Sequence, residues 1–360
     1  MSCLSQEFES ALPSRSGVGE ALCVWRHGSE LLHLCVGEAK PSTLWTADTL
    51  VPIFSATKTF SAACVLLALH DKGLAPDMEI GELWERFPAP HCTVAELLSH
   101  QTGLAAWALT GSVHDIEACR RAIEATRPAW MPPQHGYHPH TIGPIVDILM
   151  LELVGERLGE YWERKVRYPL GLDLFIGLPE SEYERVAQLR APRISGSMPR
   201  SPFYSLYFDP SSAVYRAFHS VAGIESLRDM NAPSAWSCAC PARGGIASAR
   251  GLAMAYQALL GELAGSPFPP EVQAWLRTPC CRGMDLILQE PTAFCCGPMC
   301  EPAELFGHGG FGHAGAGGFH AFADPATGCS FAYVMNQMQL GVLPGDRVRA
   351  LVSAYMQDCA

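Results

Sequence analysis

The chain is predicted to adopt an α+β fold: one antiparallel sheet built from both chain ends with flanking helices, and an all-helical insertion between them. Three observations carry that prediction. Strand-like runs joined by turn residues stand near both ends of the chain. Residues 55–72 read as a helix that is apolar nearly all round, the pattern of a helix buried on every side. The middle is helical and loop-rich, punctuated by Pro88, Pro90, Pro128, Pro132 and Pro133.

In chain order, ALCVW and LLHLCVG flank Arg26, His27, Gly28 and Ser29, a hairpin with its turn. The buried helix at 55–72 stops at Gly73 after Lys72. A second apolar helix is expected over about 142–158, ending near Gly159. Residues 192–240 have weak periodicity and many prolines and serines, so a long irregular connection is expected there. Helical pattern returns at 246–262. GGFHAFADP and CSFAYVMN, separated by Ala326, Thr327 and Gly328, make a closing hairpin. A last helix over about 344–356 places Val348, Leu351, Val352 and Tyr355 on one face. A single domain over 1–360 is expected, with about 18–75 and 240–360 as its α/β part and about 76–239 as its helical part. A cleft should lie where the two parts meet.

Hydrophobic residues make up 48% of the chain and charged ones only 17%, so much of it must lie inside. The net charge is −11 and no run of lysine or arginine exceeds two residues, which argues against a nucleic-acid or anionic membrane partner. No stretch approaches the roughly eighteen apolar residues of a membrane span. The opening MSCLSQEFESALPSRSGVGEA lacks the pattern of a secretory signal. Fifteen cysteines, an odd number scattered from Cys3 to Cys359, fit a reducing compartment, so a cytoplasmic location is expected. The dense patch of Cys280, Cys281, Cys295, Cys296 and Cys300 does not match a usual zinc spacing; buried thiols are expected, and no metal. GAGG precedes a strand rather than following one at a helix start, so it is not a phosphate cradle.

Within the buried helix, Lys58 is the only charged residue between Asp48 and Asp71. A lysine is expensive to bury, so this one needs a reason to be there. Ser55 lies one turn earlier on the same face, near the helix start, where free amides and the helix dipole favour negative charge. Desolvation would lower the lysine's pKa and let it take the serine proton, making Ser55 a usable nucleophile. The structural alternative is that Ser55 caps the helix and Lys58 reaches solvent. As a bare pattern Ser-x-x-Lys is common.

The stretch TLVPIFSATKTFSAACVLLALHDKGLAPD, followed by CTVAELLSHQTGL, resembles the beta-lactamase-related serine hydrolases. The resemblance continues through PPQHGYHPHTIGPIVDILMLELVGERLGEYWERKVRYPLGLDLFIGLP, PARGGIASARGLAMAYQALL and FGHAGAGGFHAFADPATGCSFAYVMN, in the family's order. The group includes class C beta-lactamases, family VIII carboxylesterases, D-amino-acid peptidases and some natural-product acyltransferases. It implies a beta-lactamase/transpeptidase-like domain, Ser55 and Lys58 as the nucleophile pair, and Tyr137 of HGYHPHT as the proton carrier. Pro139 stands where lactamases have an asparagine, so efficient lactam hydrolysis is not expected. The family's Lys-Thr-Gly strand is replaced in many esterase-like members by His-x-Gly. Two candidates compete for that role, His308-Gly309-Gly310 and His313-Ala314-Gly315. The second is in register with the following strand. In that register the amides of Ser55 and Ala316 would form the oxyanion hole, and the glycines, Gly315 among them, would let the strand approach the substrate closely.

His100 matches the family as a buried structural histidine. His138, His308, Trp107 and Trp236 are candidates for substrate contact, the tryptophans balanced against core packing. The loops at about 110–127 and 199–238 should form variable walls. The function expected is ester hydrolysis of small or medium acyl substrates through an acyl-serine intermediate, without cofactor. The alternative is acyl transfer from a carrier thioester to a hydroxyl or amine. A lactamase, a D-amino-acid peptidase or a non-catalytic binding homologue ranks lower. The partner is a small acyl molecule in the leading case.

Overall fold

The structure, a computed structural model, describes residues 2–10, 16–107, 113, 115–193, 201–220 and 227–359. Its strands are β1 (Gly19–Arg26), β2 (Ser29–Lys40), β3 (Thr43–Leu44), β4 (Val51–Pro52), β5 (Leu174–Ile176), β6 (Gly245–Ala247), β7 (Cys281–Met284), β8 (Pro291–Phe294), β9 (Met299–Glu301), β10 (Phe311–Gly315), β11 (Phe319–Asp324) and β12 (Cys329–Met335). Nine form one antiparallel sheet in the order β3-β2-β1-β12-β11-β10-β9-β8-β7. The two chain ends meet where β1 pairs with β12, from Glu20 opposite Met335 to Arg26 opposite Cys329. Both expected hairpins are present. In the first, His27 (φ 46°) and Gly28 (φ 73°) form a two-residue loop with both residues in the left-handed region, the backbone that matches strand twist.

A small sheet, β4-β6-β5, joins distant segments beside the large one. β5 lies within the span expected to be helical; its three buried residues are too few to show a two-residue alternation. Strands β7 to β9 were not foreseen either. They are three or four residues long and interrupted by an irregular register, so the cysteines dominate that stretch of sequence.

The helix Thr57–Asp71 is buried at every position from Thr57 to Leu69, as its all-round apolar pattern requires. It packs between the helix Ile142–Val154, the helix Pro270–Arg277 and β10. Phe60 lies within 5.5 Å of Trp162 and 5.1 Å of Tyr256, ring centre to ring centre. The helix Ile142–Val154 ends at Gly155 (φ 78°), before the expected Gly159. A new helix starts at Leu158, and buried Asp147 ties the two by accepting Arg157 Nε at 2.7 Å and the Leu158 amide at 2.9 Å. Residues 245–247 are strand, and the following helix runs Ala249–Leu260 with Ser248 as its cap.

The expected irregular connection contains four short helices among the described residues: Pro202–Tyr207, Ala213–His219, Leu227–Met230 and Pro233–Trp236. Each spans one or two turns, too short to establish a helical period. Ser201 and Ser212 cap the first two by accepting the amides of Tyr204 and Tyr215. Of the expected wall loops, residues 110–112, 114, 199, 200 and 221–226 lie outside the described residues, and much of the first is a helix, Ile116–Glu124, capped by Asp115. An unforeseen helix, Ser2–Ser10, packs on the closing helix Asp346–Asp358. Asp358 accepts the amides of Cys3 and Leu4, and Arg347 donates to the carbonyls of Glu7 and Phe8. Among the described residues no helix is long and apolar enough to cross a membrane.

Candidate active site

The chain leaves β4 and turns sharply into the buried helix through a single 3-10 turn, Phe54–Ala56. Phe54 has φ 49°, a left-handed conformation that costs a non-glycine residue about 1 kcal/mol or more. Three bonds hold it there. The Ile53 amide donates to Gly245 O at 2.9 Å, Thr57 Oγ1 donates to Phe54 O at 2.6 Å, and the Gly245 amide donates to Thr57 Oγ1 at 2.9 Å. The Phe54 ring also packs on Phe319 at 5.5 Å. This strained elbow presents Ser55 at the helix start, on the wall of a cavity of about 860 Å³.

Lys58 follows one turn later and is buried. Its Nζ lies 3.1 Å from Ser55 Oγ, 2.9 Å from Pro139 O and 2.9 Å from Ala242 O. Burial, with a smaller contribution from the Arg243 guanidinium, pushes its pKa down to about 7. Two of the three partners are carbonyls, which can only accept. A neutral amine therefore spends both hydrogens on Pro139 and Ala242 and turns its lone pair toward Ser55 Oγ. In that arrangement the amine can accept a proton from the hydroxyl.

Tyr137 is buried beside them, with Lys58 Nζ 4.9 Å from its ring centre. Burial pushes its phenol above the ordinary value, and the nearby Ser55 hydroxyl works in the opposite direction. The phenol oxygen has no hydrogen-bond partner of good geometry. Its backbone is fixed from far along the chain by Asp285, whose two carboxylate oxygens accept the Tyr137 amide at 3.0 and 3.1 Å. The same carboxylate accepts the amides of Ile287 and Leu288, both at 2.8 Å. Asp285→Ala should lower stability by about 2–4 kcal/mol, since it strips several buried donors at once. The urea midpoint checks this, and Asp285→Asn should recover part of the loss.

His313 lies on β10, next to the Ser55 turn, with its ring 5.8 Å from that of Tyr137. Its Nδ1 donates to Ala314 O at 2.7 Å, and its buried Nε2 has no partner among the described residues. Burial, then the charge of Lys58, pushes its pKa down to about 3, so the ring is neutral. A Cβ on Gly315 would meet Ile53 O at 2.3 Å, so only glycine lets β10 approach the Ser55 turn this closely. Ala316 follows on the cavity wall. Neither its amide nor that of Ser55 is spent on a turn or loop carbonyl among the described residues.

Four candidates lie elsewhere. His138 is fully buried and structural: Nε2 accepts the Leu104 amide at 3.0 Å, Nδ1 donates to Gly136 O at 2.8 Å, and the ring stacks on His100. His308 precedes β10 and pairs with Asp324 at 3.0 Å, away from the cavity wall. Trp107 is buried off the cavity. Trp236 packs edge-on against Tyr183 and donates to Met230 O, also off the cavity. These aromatic and imidazole groups satisfy loops and fill core rather than face a ligand. His100 is buried in a left-handed conformation, and its Nδ1 accepts the His138 amide at 3.3 Å. The aromatic wall comes instead from Phe203, Tyr204, Tyr207, Phe208, Tyr215 and Phe218 of the two short helices and the residue after the first.

Among the described residues no disulfide joins any of the fifteen cysteines, and the Cys280 and Cys296 sulfurs lie 3.4 Å apart. Among the described residues one group could offer three metal ligands, Cys23, Glu30 and His33 on the β1–β2 hairpin. Arg250 Nε already donates to the same Glu30 carboxylate at 2.7 Å.

A family model described as Beta-lactamase matches residues 5–355. This chain belongs to the beta-lactamase family. Similar members include the esterase/beta-lactamase LipL of Mycobacterium tuberculosis, 28% identical over 93% of this chain and 81% of that protein. A penicillin-binding protein homolog from Caulobacter crescentus is 30% identical, with TM-score 0.85 over 99% of this chain and 96% of that one. A family VIII carboxylesterase is 26% identical, with TM-score 0.85 over 100% of this chain and 96% of that one. The family is therefore one of serine hydrolases of esterase/beta-lactamase type, and it shares the beta-lactamase/transpeptidase-like fold seen here.

Proposed function

We propose that this chain is a serine esterase that works through an acyl-Ser55 intermediate. The observation that carries the proposal is the Lys58 amine, clamped by two carbonyls with its third direction on Ser55 Oγ. Above about pH 7 the neutral amine takes the serine proton as Oγ attacks an ester carbonyl. Tyr137 passes that proton to the departing alkoxide, so the alcohol leaves neutral. The developing oxyanion is held by the amides of Ser55 and Ala316, each contributing a few kcal/mol. Water, activated through Tyr137, then releases the acid and restores the enzyme.

The apolar and aromatic cavity suits a small or medium acyl ester. The same cavity supports a second reading, transfer of the acyl group from a carrier thioester to a hydroxyl or amine, because a water-poor wall slows hydrolysis. Pro139 offers a backbone carbonyl to Lys58 where a lactamase would offer an amide to its substrate, which sets lactams lower. Product analysis with p-nitrophenyl butyrate and a butyryl thioester, with and without a panel of alcohols and amines, separates the readings. Free butyrate at a rate indifferent to acceptors means an esterase. Butyryl product that forms only with an acceptor means a transferase. No product from any donor would mean a binding homologue that has lost catalysis.

A further inference from the structure

The backbone that carries Arg243 is fixed to the floor of the site. Its neighbour Ala242 offers a carbonyl to Lys58, Pro241 O accepts Ser61 Oγ at 2.7 Å, and Gly245 O accepts the Ile53 amide beside the nucleophile elbow. The side chain lies on the cavity wall and is only 6% exposed. Its Nη1 meets His140 Nδ1 at 3.3 Å. Its Nε and Nη2 are buried and have no hydrogen-bond partner among the described residues.

These two atoms are not a random pair. Nε and Nη2 form one straight edge of the guanidinium, the edge that a carboxylate takes side-on with two parallel hydrogen bonds. Among the described residues no acidic group neutralises the charge. Arg243 makes no ion pair among the described residues, and no aspartate or glutamate lines the cavity among them, in a chain whose net charge is −11. His140 is held neutral, chiefly by burial and then by the charges of Arg243 and Lys58, so it is an acceptor and not a counter-ion. An arginine cannot shed its proton to escape this cost. A buried guanidinium with two open donors is strongly destabilising unless a partner offsets it.

We infer that Arg243 recognises a carboxylate on the substrate, which joins that carboxylate to an aromatic or long apolar segment lying against the Phe203, Tyr207 and Phe218 wall. The inference rests on the Ser55 reading for its chemistry but not for its binding test. The carboxylate could belong to the acyl part or to the alcohol part of the ester; either supplies the same side-on pair.

The binding test uses the full chain carrying Ser55→Ala, titrated by calorimetry with 4-phenylbutyrate and with its neutral isostere 4-phenylbutanamide. The acid should bind at least tenfold more tightly, and Arg243→Met in the same background should bring the two to parity. Equal affinity in the parent, or a preference that survives Arg243→Met, overturns the inference. Should Arg243→Met fail to fold, Arg243→Lys decides. A point charge lacks the side-on edge, so the preference must fall, and an unchanged preference overturns the inference. With the active chain, the glutarate monoester of p-nitrophenol places the carboxylate on the acyl side, and the butyryl ester of 4-hydroxybenzoate places it on the alcohol side. One of them should exceed its methyl-capped counterpart at least tenfold in kcat/KM; a preference for neither overturns the inference. Failure of a fluorophosphonate to label Ser55 would sink the hydrolase reading alone, leaving the titration to stand or fall by itself.

Discussion

Replacing Ser55 by alanine lowers kcat/KM for p-nitrophenyl butyrate by about five orders of magnitude and abolishes fluorophosphonate labelling. The size follows from the way a nucleophile and its base act as one unit, so that removing either forfeits nearly the whole covalent route. The substitution removes one hydroxyl from a position 9% exposed, and Lys58 keeps both of its carbonyl partners. Thermal stability should therefore change little. A variant that retained more than about one hundredth of the activity would show that the acyl group is not carried on Ser55.

Lys58→Met should abolish turnover almost as completely and yet make the fold more stable. In the unfolded chain a lysine titrates near 10.4, whereas in the folded chain burial pushes Lys58 down to about 7. Between those values the unfolded state binds more protons, so wild-type stability rises as pH climbs from about 7 toward 10. Below pH 7 the penalty of burying the charged ammonium is complete. Methionine escapes it but leaves the carbonyls of Pro139 and Ala242 without that donor, which returns part of the gain. The net effect should be a stabilisation of about 1–2 kcal/mol at pH 6, shrinking toward pH 10. Urea denaturation of both proteins at several pH values measures it. The same ionisation shapes catalysis: kcat/KM of the wild type rises through about pH 7 as Lys58 loses its proton.

Much of this site could be read in the sequence because its chemistry is local. Ser55 and Lys58 are one turn apart, and the cost of a lone lysine in an apolar helix is visible without coordinates. Turn residues made both hairpins legible, whereas the close packing of Gly315 on the Ile53 carbonyl joins segments that meet only in the fold. The illegible parts depend on segments that meet only in the fold. Asp285 fixes the Tyr137 amide from 148 residues away, and nothing in DLILQEPT points to a tyrosine loop. Arg243 stood in PARGG as one charge among glycines, and only its edge, unpartnered among the described residues in a cavity they line without acids, gives it meaning. The aromatic wall was missed because its helices are too short to show a period, while Trp107, Trp236 and His138, conspicuous as residue types, turned out to serve packing and loop bonds. Residue type alone does not distinguish a ligand wall from a core.

The central claim is that the acyl group rests on Ser55, and peptide mapping of the acid-quenched reaction with p-nitrophenyl butyrate tests it most directly. The account predicts a butyryl group on the peptide carrying Ser55 in the wild type and none on that peptide in Ser55→Ala or Lys58→Met. Turnover with the butyryl group on another residue, or with no covalent adduct at any quench time, would contradict it.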